Sequence, residues 1–253
     1  MINTLIGWSI FFGAGVLFFM WETRDSARSI KYSAEFLKEF KYIVISFVIA
    51  IIAFYCFEFL GSIVAPSLPS AITESVFWTS IISLPVWIRF IMAYLLRDFT
   101  YYIGHRIMHR TFLWQTHKFH HSSQELWWLI SPKDSLTNLL VASIGFVWYT
   151  VLNIPPELAT NLIFFEYIFQ TWVHINVAPQ PWMEVMELVF VTPRFHAIHH
   201  MVRPEIRGMN LGGFFTFYDR MFGTYVDPAT IDPKQEEYGI GDEPVTLRMM
   251  VGI

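Results

Sequence analysis

The 253-residue sequence holds a single cysteine, Cys56. One thiol can close no disulfide within the chain and can build no thiolate cluster for a metal or an iron–sulfur centre. Cys56 lies in an apolar run and reads as a small packing residue. There is no Cys-x-x-Cys-His for haem attachment and no glycine fingerprint for a nucleotide. Charge is scarce too. Charged residues make up 15% of the chain, where a soluble domain carries about a quarter. The net charge of −4 comes with no basic stripe interleaved with aromatics, which argues against a nucleic-acid partner. The N-terminus lacks both a basic region and a small-residue cleavage site, so residues 1–21 read as an uncleaved anchor.

What replaces charge is apolar sequence: 54% of residues are hydrophobic and 18% aromatic. Five long runs stand out, at residues 2–21, 42–65, 76–96, 135–154 and 158–177. They predict an all-α, multi-span transmembrane helical bundle of four to five spans. The last two runs are either full spans or a hairpin that does not cross. Residues 22–41 mix both charges and suit a surface helix, and residues 66–75 read as a turn. Arg24, Arg28, Lys31, Lys38 and Lys41 follow the first run, and Arg97, Arg106, Arg110, Lys118 and Lys133 follow the third. The 66–75 loop and the Pro155–Pro156 turn carry no Lys or Arg. The positive-inside rule then predicts an outside N-terminus and a histidine-rich helical cap on the cytoplasmic face. No repeat or low-complexity linker divides the chain. It reads as one domain: an anchor region at 1–89, a histidine-bearing region at 90–225 and a tail at 226–253.

All nine histidines fall between His105 and His200. His105 and His109 are four apart. His117, His120 and His121 form one H-x-x-H-H group, and His196, His199 and His200 form another. Residues three and four apart share a helix face, so each group can aim its imidazoles at one place. Imidazole suits iron, zinc, copper and nickel. Eight such ligands exceed the need of one tetrahedral zinc and suffice for two metals with positions left open. A solvated, His-rich surface helix would explain one pair, but three groups on one side of the membrane read as a metal site. His174 lies in the fifth run, on a polar stripe with Glu166 and Gln170. It is either a ligand or a residue that orients one. Asp98 shares a helical face pattern with Tyr102, His105 and His109, and is a candidate for orienting an imidazole through its N–H. Trp127, Trp128, Phe146, Trp148, Phe164 and Phe165 could line a lipid path, although aromatics are equally common in membrane cores and interfaces.

Four stretches carry a family resemblance. Asp98-Phe-Thr-Tyr-Tyr-Ile-Gly-His105-Arg-Ile-Met-His109, Leu113-Trp-Gln-Thr-His117-Lys-Phe-His120-His121 and Thr192-Pro-Arg-Phe-His196-Ala-Ile-His199-His200 resemble the three histidine boxes of the fatty acid hydroxylase/sterol desaturase superfamily. Asp219-Arg-Met-Phe222-Gly223-Thr-Tyr225 resembles its closing motif. The likeness covers about residues 90–225. It implies a non-haem di-iron centre held by His105, His109, His117, His120, His121, His196, His199 and His200. It also implies O₂-dependent attack on an unactivated C–H bond of a membrane lipid, by hydroxylation or desaturation. The substrate would be a fatty acyl chain, a sterol-like polycycle or an ether or aminolipid. Electrons would come from a separate reductase or small carrier protein. Members commonly carry Asn-Tyr-Gly before the closing motif, where this chain has Asn210-Leu211-Gly212. Two other readings compete. A zinc hydrolase would place a glutamate inside the first box, which here is His-Arg-Ile-Met-His. A non-catalytic metal-binding membrane protein would not be expected to keep every box.

Overall fold

Residues 32–56 contain neither proline nor glycine, so nothing breaks a helix there. In the computed structural model, which describes residues 2–64, 73–110 and 113–253, helix α2 (Tyr32–Val64) is continuous. The separate surface helix expected at 22–41 is therefore not found, since its second half is the first part of α2. With α1 (Ile2–Arg24), α2 is long and apolar enough to cross a bilayer. Both helices are built inside-out. Leu17 and Ile52 are 66% and 51% exposed, whereas Glu22 and Glu39 are buried, the pattern that surrounding hydrocarbon selects. Cys56 faces outward rather than into a core. The turn expected at 66–75 lies largely outside the described residues.

The third run is broken. α3 (Val76–Ile82) and α4 (Val86–Met108) meet at 113°. Pro85 stands at the junction; it has no N–H to continue α3, and its ring disfavours the helical conformation for Leu84. The fourth run is shorter than its apolar length suggests. After α5 (Trp114–Lys118) come α6 (Leu136–Ser143) and α7 (Val147–Val151), joined by a tight turn at Ile144–Phe146. Gly145 in that turn lies against α4, where a Cβ would sit 2.8 Å from the Arg97 carbonyl oxygen. Together α6 and α7 rise about 24 Å, less than a hydrocarbon core of about 30 Å. The described residues thus offer two helices fit to cross, or three if the bent pair is one span, rather than four to five.

α8 (Pro156–Val173) starts with proline at its first turn and packs on α1. Gly7 permits this contact, since a Cβ there would meet Phe164 at 2.5 Å; Gly15 likewise makes room for Trp128 of the 128–130 segment, which a Cβ would meet at 2.4 Å. The rest of the chain forms short helices: α9 (Pro181–Met186), α10 (Pro193–His199), α11 (Phe217–Phe222) and α12 (Leu247–Val251). No strand forms among the described residues, only isolated bridges. Buried carboxylates clamp the long helices to the histidine-bearing loops. Glu22 on α1 accepts from the N–H groups of Trp128 (3.2 Å) and Asn176 (3.0 Å). Lys133, fully buried, donates to Glu39 on α2 (2.6 Å) and to Ser123 (2.9 Å).

Candidate metal centre

The nine imidazoles converge at one end of the bundle as two adjacent sets. His105, His109, His117, His121 and His199 form one, and His120, His174, His196 and His200 the other. Within each set one ring nitrogen per residue lies within 4.8 Å of all the others. The H-x-x-H-H groups are shared between the sets in opposite senses. His117 and His121 go to the first set and His120 to the second; His196 and His200 go to the second and His199 to the first. Ring centroids of His121 and His200 lie 4.4 Å apart, so the sets share a wall.

Backbone and amide acceptors settle which nitrogen carries the proton. His105 Nδ1 donates to the Leu211 carbonyl (2.8 Å), His199 Nδ1 to that of Met209 (3.1 Å) and His174 Nδ1 to that of Gln170 (2.6 Å). His117 Nδ1 donates to Asn138 Oδ1 (2.9 Å). The Nε2 atoms of these neutral rings are therefore bare lone pairs. Yet His105 Nε2 lies 2.9 Å from that of His117 and 3.0 Å from that of His199. His174 Nε2 lies 3.0–3.2 Å from those of His196 and His120. Facing lone pairs repel unless a cation sits between them. A proton is a poor candidate, because burial first and neighbouring imidazoles second hold His117, His121, His196, His199 and His200 well below the ordinary histidine range. Both ring nitrogens of His109 are buried without a hydrogen-bond partner among the described residues. A metal ion resolves all of these contacts. With metal–nitrogen bonds of about 2.1 Å, neighbouring corners of an octahedron lie about 3.0 Å apart and those of a tetrahedron about 3.4 Å. The observed spacings match the former.

Asp98 does not reach an imidazole. Two helical turns, about 10 Å of rise, separate it from His105. Its oxygens accept instead from the N–H groups of Phe214 (3.0 Å) and Phe215 (2.9 Å). The carboxylate that does approach is Asp134, 3.2 Å from His120 Nδ1. Asp134 also accepts from Asn138, so one Asp–Asn pair braces a ring of each set. Asn138 was detectable as an isolated amide in an apolar run. Asn210 was marked only by its place in the Asn210-Leu211-Gly212 stretch: it sits at φ +51°, buried, between the two carbonyls that hold His105 and His199. Its side chain bonds Phe195 O, Val226 O and Val226 N. Asp219 completes the brace by accepting from Leu211 N (2.7 Å), Gly212 N (2.8 Å) and Thr224 Oγ1 (2.7 Å). Because the imidazole contact here is made by the Leu211 backbone, leucine serves it in place of the common tyrosine.

Two cavities reach the sets at different rings. A chamber between α1, α4, α6 and α8 ends on His117, His120 and His174. Of the six aromatics named from sequence, Phe146 lines it; Phe11, Tyr101 and Tyr167 do so as well. A more polar cavity ends on His109, His121, His199 and His200 and is lined by Lys118, Arg207 and Glu243. Glu125 and Glu184 pair instead with Arg28 and Arg194.

Comparison with known proteins places residues 90–224 on the family model described as fatty acid hydroxylase. An alkylglycerol monooxygenase of Caenorhabditis elegans is 32% identical over 185 residues, covering 70% of this chain and 35% of that protein. The human alkylglycerol monooxygenase is 30% identical over 134 residues, covering 53% and 29%. An ornithine lipid hydroxylase of Rhizobium tropici is 24% identical over 174 residues, covering 68% and 51%. The match thus spans about a third of the length of the alkylglycerol monooxygenases and half of the ornithine lipid hydroxylase. No solved structure matches significantly.

Proposed function

Since the chain belongs to the fatty acid hydroxylase family, we propose that it is an integral-membrane oxygenase that hydroxylates a lipid at two non-haem iron ions. The overall change is RH + O₂ + 2e⁻ + 2H⁺ → ROH + H₂O. The observation that carries this reading is the pair of converging nitrogen sets, in the first of which the bare Nε2 lone pairs of His105, His117 and His199 face one another at 2.9–3.0 Å. His105, His109, His117, His121 and His199 would hold one ion, and His120, His174, His196 and His200 the other. When bound, the ions supply the redox chemistry that activates O₂. Five nitrogens in one set exceed a tetrahedral zinc site, and no box carries an internal carboxylate to serve as a hydrolytic base.

The protein's own part is positioning and exclusion. The carbonyls of residues 170, 209 and 211 and the Asp134–Asn138 pair fix ring orientation before any ion arrives. The chamber, opening among the long helices, accepts an alkyl chain from the bilayer and keeps bulk water from the reacting carbon. The more polar cavity offers a route for the two protons. Electrons come from a separate reductase or carrier protein. The clustering of Lys and Arg after the first and third apolar runs supports a cytoplasmic location for the histidine face. The alkylglycerol and ornithine lipid names of the relatives favour hydroxylation over desaturation.

The test is comparative lipidomics of cells with and without the gene, beside metal analysis of detergent-purified protein. A lipid gaining one oxygen, with about half of the iron lost in a His117→Ala, His121→Ala variant, whose two rings both belong to the first set, is the expected result. Full iron loading and lipid turnover in that variant would refute the ligand assignment.

A further inference from the structure

The chamber is polar at the end furthest from the histidines, where a purely apolar lining would be the cheapest to build. Residues 97, 101 and 105 on α4 and residues 166, 170 and 174 at α8 form facing stripes at helical spacing. Arg97 and Glu166 thus lie two turns, about 12 Å of rise, from His105 and His174. Arg97 Nη2 donates to Glu166 Oε2 at 2.6 Å, and both residues are 4% exposed. A purely structural pair would satisfy its remaining atoms on protein groups, and this one does not. Arg97 Nε and Nη1 have no hydrogen-bond partner among the described residues, and Glu166 Oε1 has only the Tyr94 hydroxyl in loose reach, although both side chains line the chamber. Asp98 Oδ1 is 3.6 Å from Arg97 Nη1, but its hydrogen bonds go to the backbone of Phe214 and Phe215. Polar atoms left empty within hydrocarbon are costly.

The charges restrict what can fill this place. With Asp98, the cluster holds one cation and two carboxylates. A carboxylate or phosphate would face both acidic groups, and an ammonium, which can only donate, would leave the free N–H groups of Arg97 unanswered. An uncharged group that both donates and accepts meets neither penalty. A hydroxyl can give its proton to Glu166 Oε1 and take one hydrogen bond from Arg97. We infer that the Arg97–Glu166 pair is a binding subsite for a lipid hydroxyl, with the attached alkyl chain running along the chamber toward the imidazoles. This rests on the chamber being the substrate site, and it adds the substrate class: an alcohol-bearing lipid rather than a free fatty acid.

The experiment is equilibrium binding to iron-loaded protein in nanodiscs, without oxygen or reductant, so that nothing turns over. The probes are radiolabelled hexadecanol, hexadecane and hexadecanesulfonate, a permanent anion of equal chain length. Wild type should bind hexadecanol about tenfold tighter than either of the others. Glu166→Gln removes one negative charge with little change of shape, and should raise sulfonate affinity relative to hexadecanol by about tenfold. Ala142→Phe keeps the pair but fills the chamber, and should abolish binding of all three. Equal binding of hexadecanol and hexadecane by wild type overturns the subsite, as does an unchanged sulfonate-to-alcohol ratio in folded Glu166→Gln. If that variant does not fold, Ala142→Phe decides, and retained hexadecanol binding overturns the proposal. Separate turnover assays keep the two readings apart. Hydroxylation without alcohol preference removes only the subsite, and alcohol preference without iron or turnover removes only the oxygenase reading.

Discussion

Replacing Asn210 by alanine tests whether the backbone between Met209 and Leu211 is what orients the first nitrogen set. The side chain makes three hydrogen bonds, a buried one to Phe195 O (3.2 Å) and part-buried ones to Val226 O (3.1 Å) and from Val226 N (2.7 Å). At about 1 kcal/mol each, their loss costs about 3 kcal/mol. The residue also sits at φ +51°, which alanine tolerates at a cost of about 1 kcal/mol more. Asn210→Ala should therefore destabilise the protein by about 4 kcal/mol, and Asn210→Gly by about 1 kcal/mol less, because glycine accepts that backbone. The flanking carbonyls hold His105 and His199, so the loss should fall on one set. Denaturant unfolding of purified protein, read beside iron per chain, checks both parts. About half of the bound iron should be lost from folded Asn210→Ala protein, with the other half retained. Unchanged iron and unchanged unfolding would show that the 209–211 backbone does not position the imidazoles. Equal unfolding midpoints for the alanine and glycine variants would remove the conformational part of the estimate.

Single His121→Ala and His174→Ala variants should each release about half of the iron, and the double variant nearly all, as read by elemental analysis. Lys133→Met leaves Glu39 buried without its cation and should cost about 3–5 kcal/mol; Lys133→Met with Glu39→Leu should recover most of it, as read by thermal unfolding in detergent. Gly145→Ala, whose Cβ would sit 2.8 Å from the Arg97 carbonyl, should destabilise by about 1–3 kcal/mol. Gly13→Ala meets nothing within 4 Å and should instead stabilise α1 by up to about 1 kcal/mol; the same sign for both would refute the packing argument.

The histidines were legible in sequence because i, i+3 and i+4 spacings survive as shared helix faces. Spacing could not show that each H-x-x-H-H divides its rings between two sets, since all three rings project within one broad arc. Asp98 was overvalued for a related reason: a common face says nothing about distance along the axis, and two turns are too many. The carbonyls of 170, 209 and 211 carry no side-chain signature, so orientation supplied by backbone leaves no trace in residue identity. Among the apolar runs, hydropathy marked where hydrocarbon can lie but not how helices end. α2 ran through its charged first turns because no residue there stops a helix. The third run bent at Pro85, a breaker visible from the start, and the fourth was shortened by the demand of Gly145 for contact with α4.

The crossed sharing of the H-x-x-H-H groups bears on biosynthesis. One set waits for His199 and the other for His196 and His200, so neither can be completed before the last box has been made. Until the last box folds back between the others, the first set holds four of its five rings and the second only His120 and His174. Both sets thus close on the same short segment, and a fault within residues 196–200 would leave neither complete.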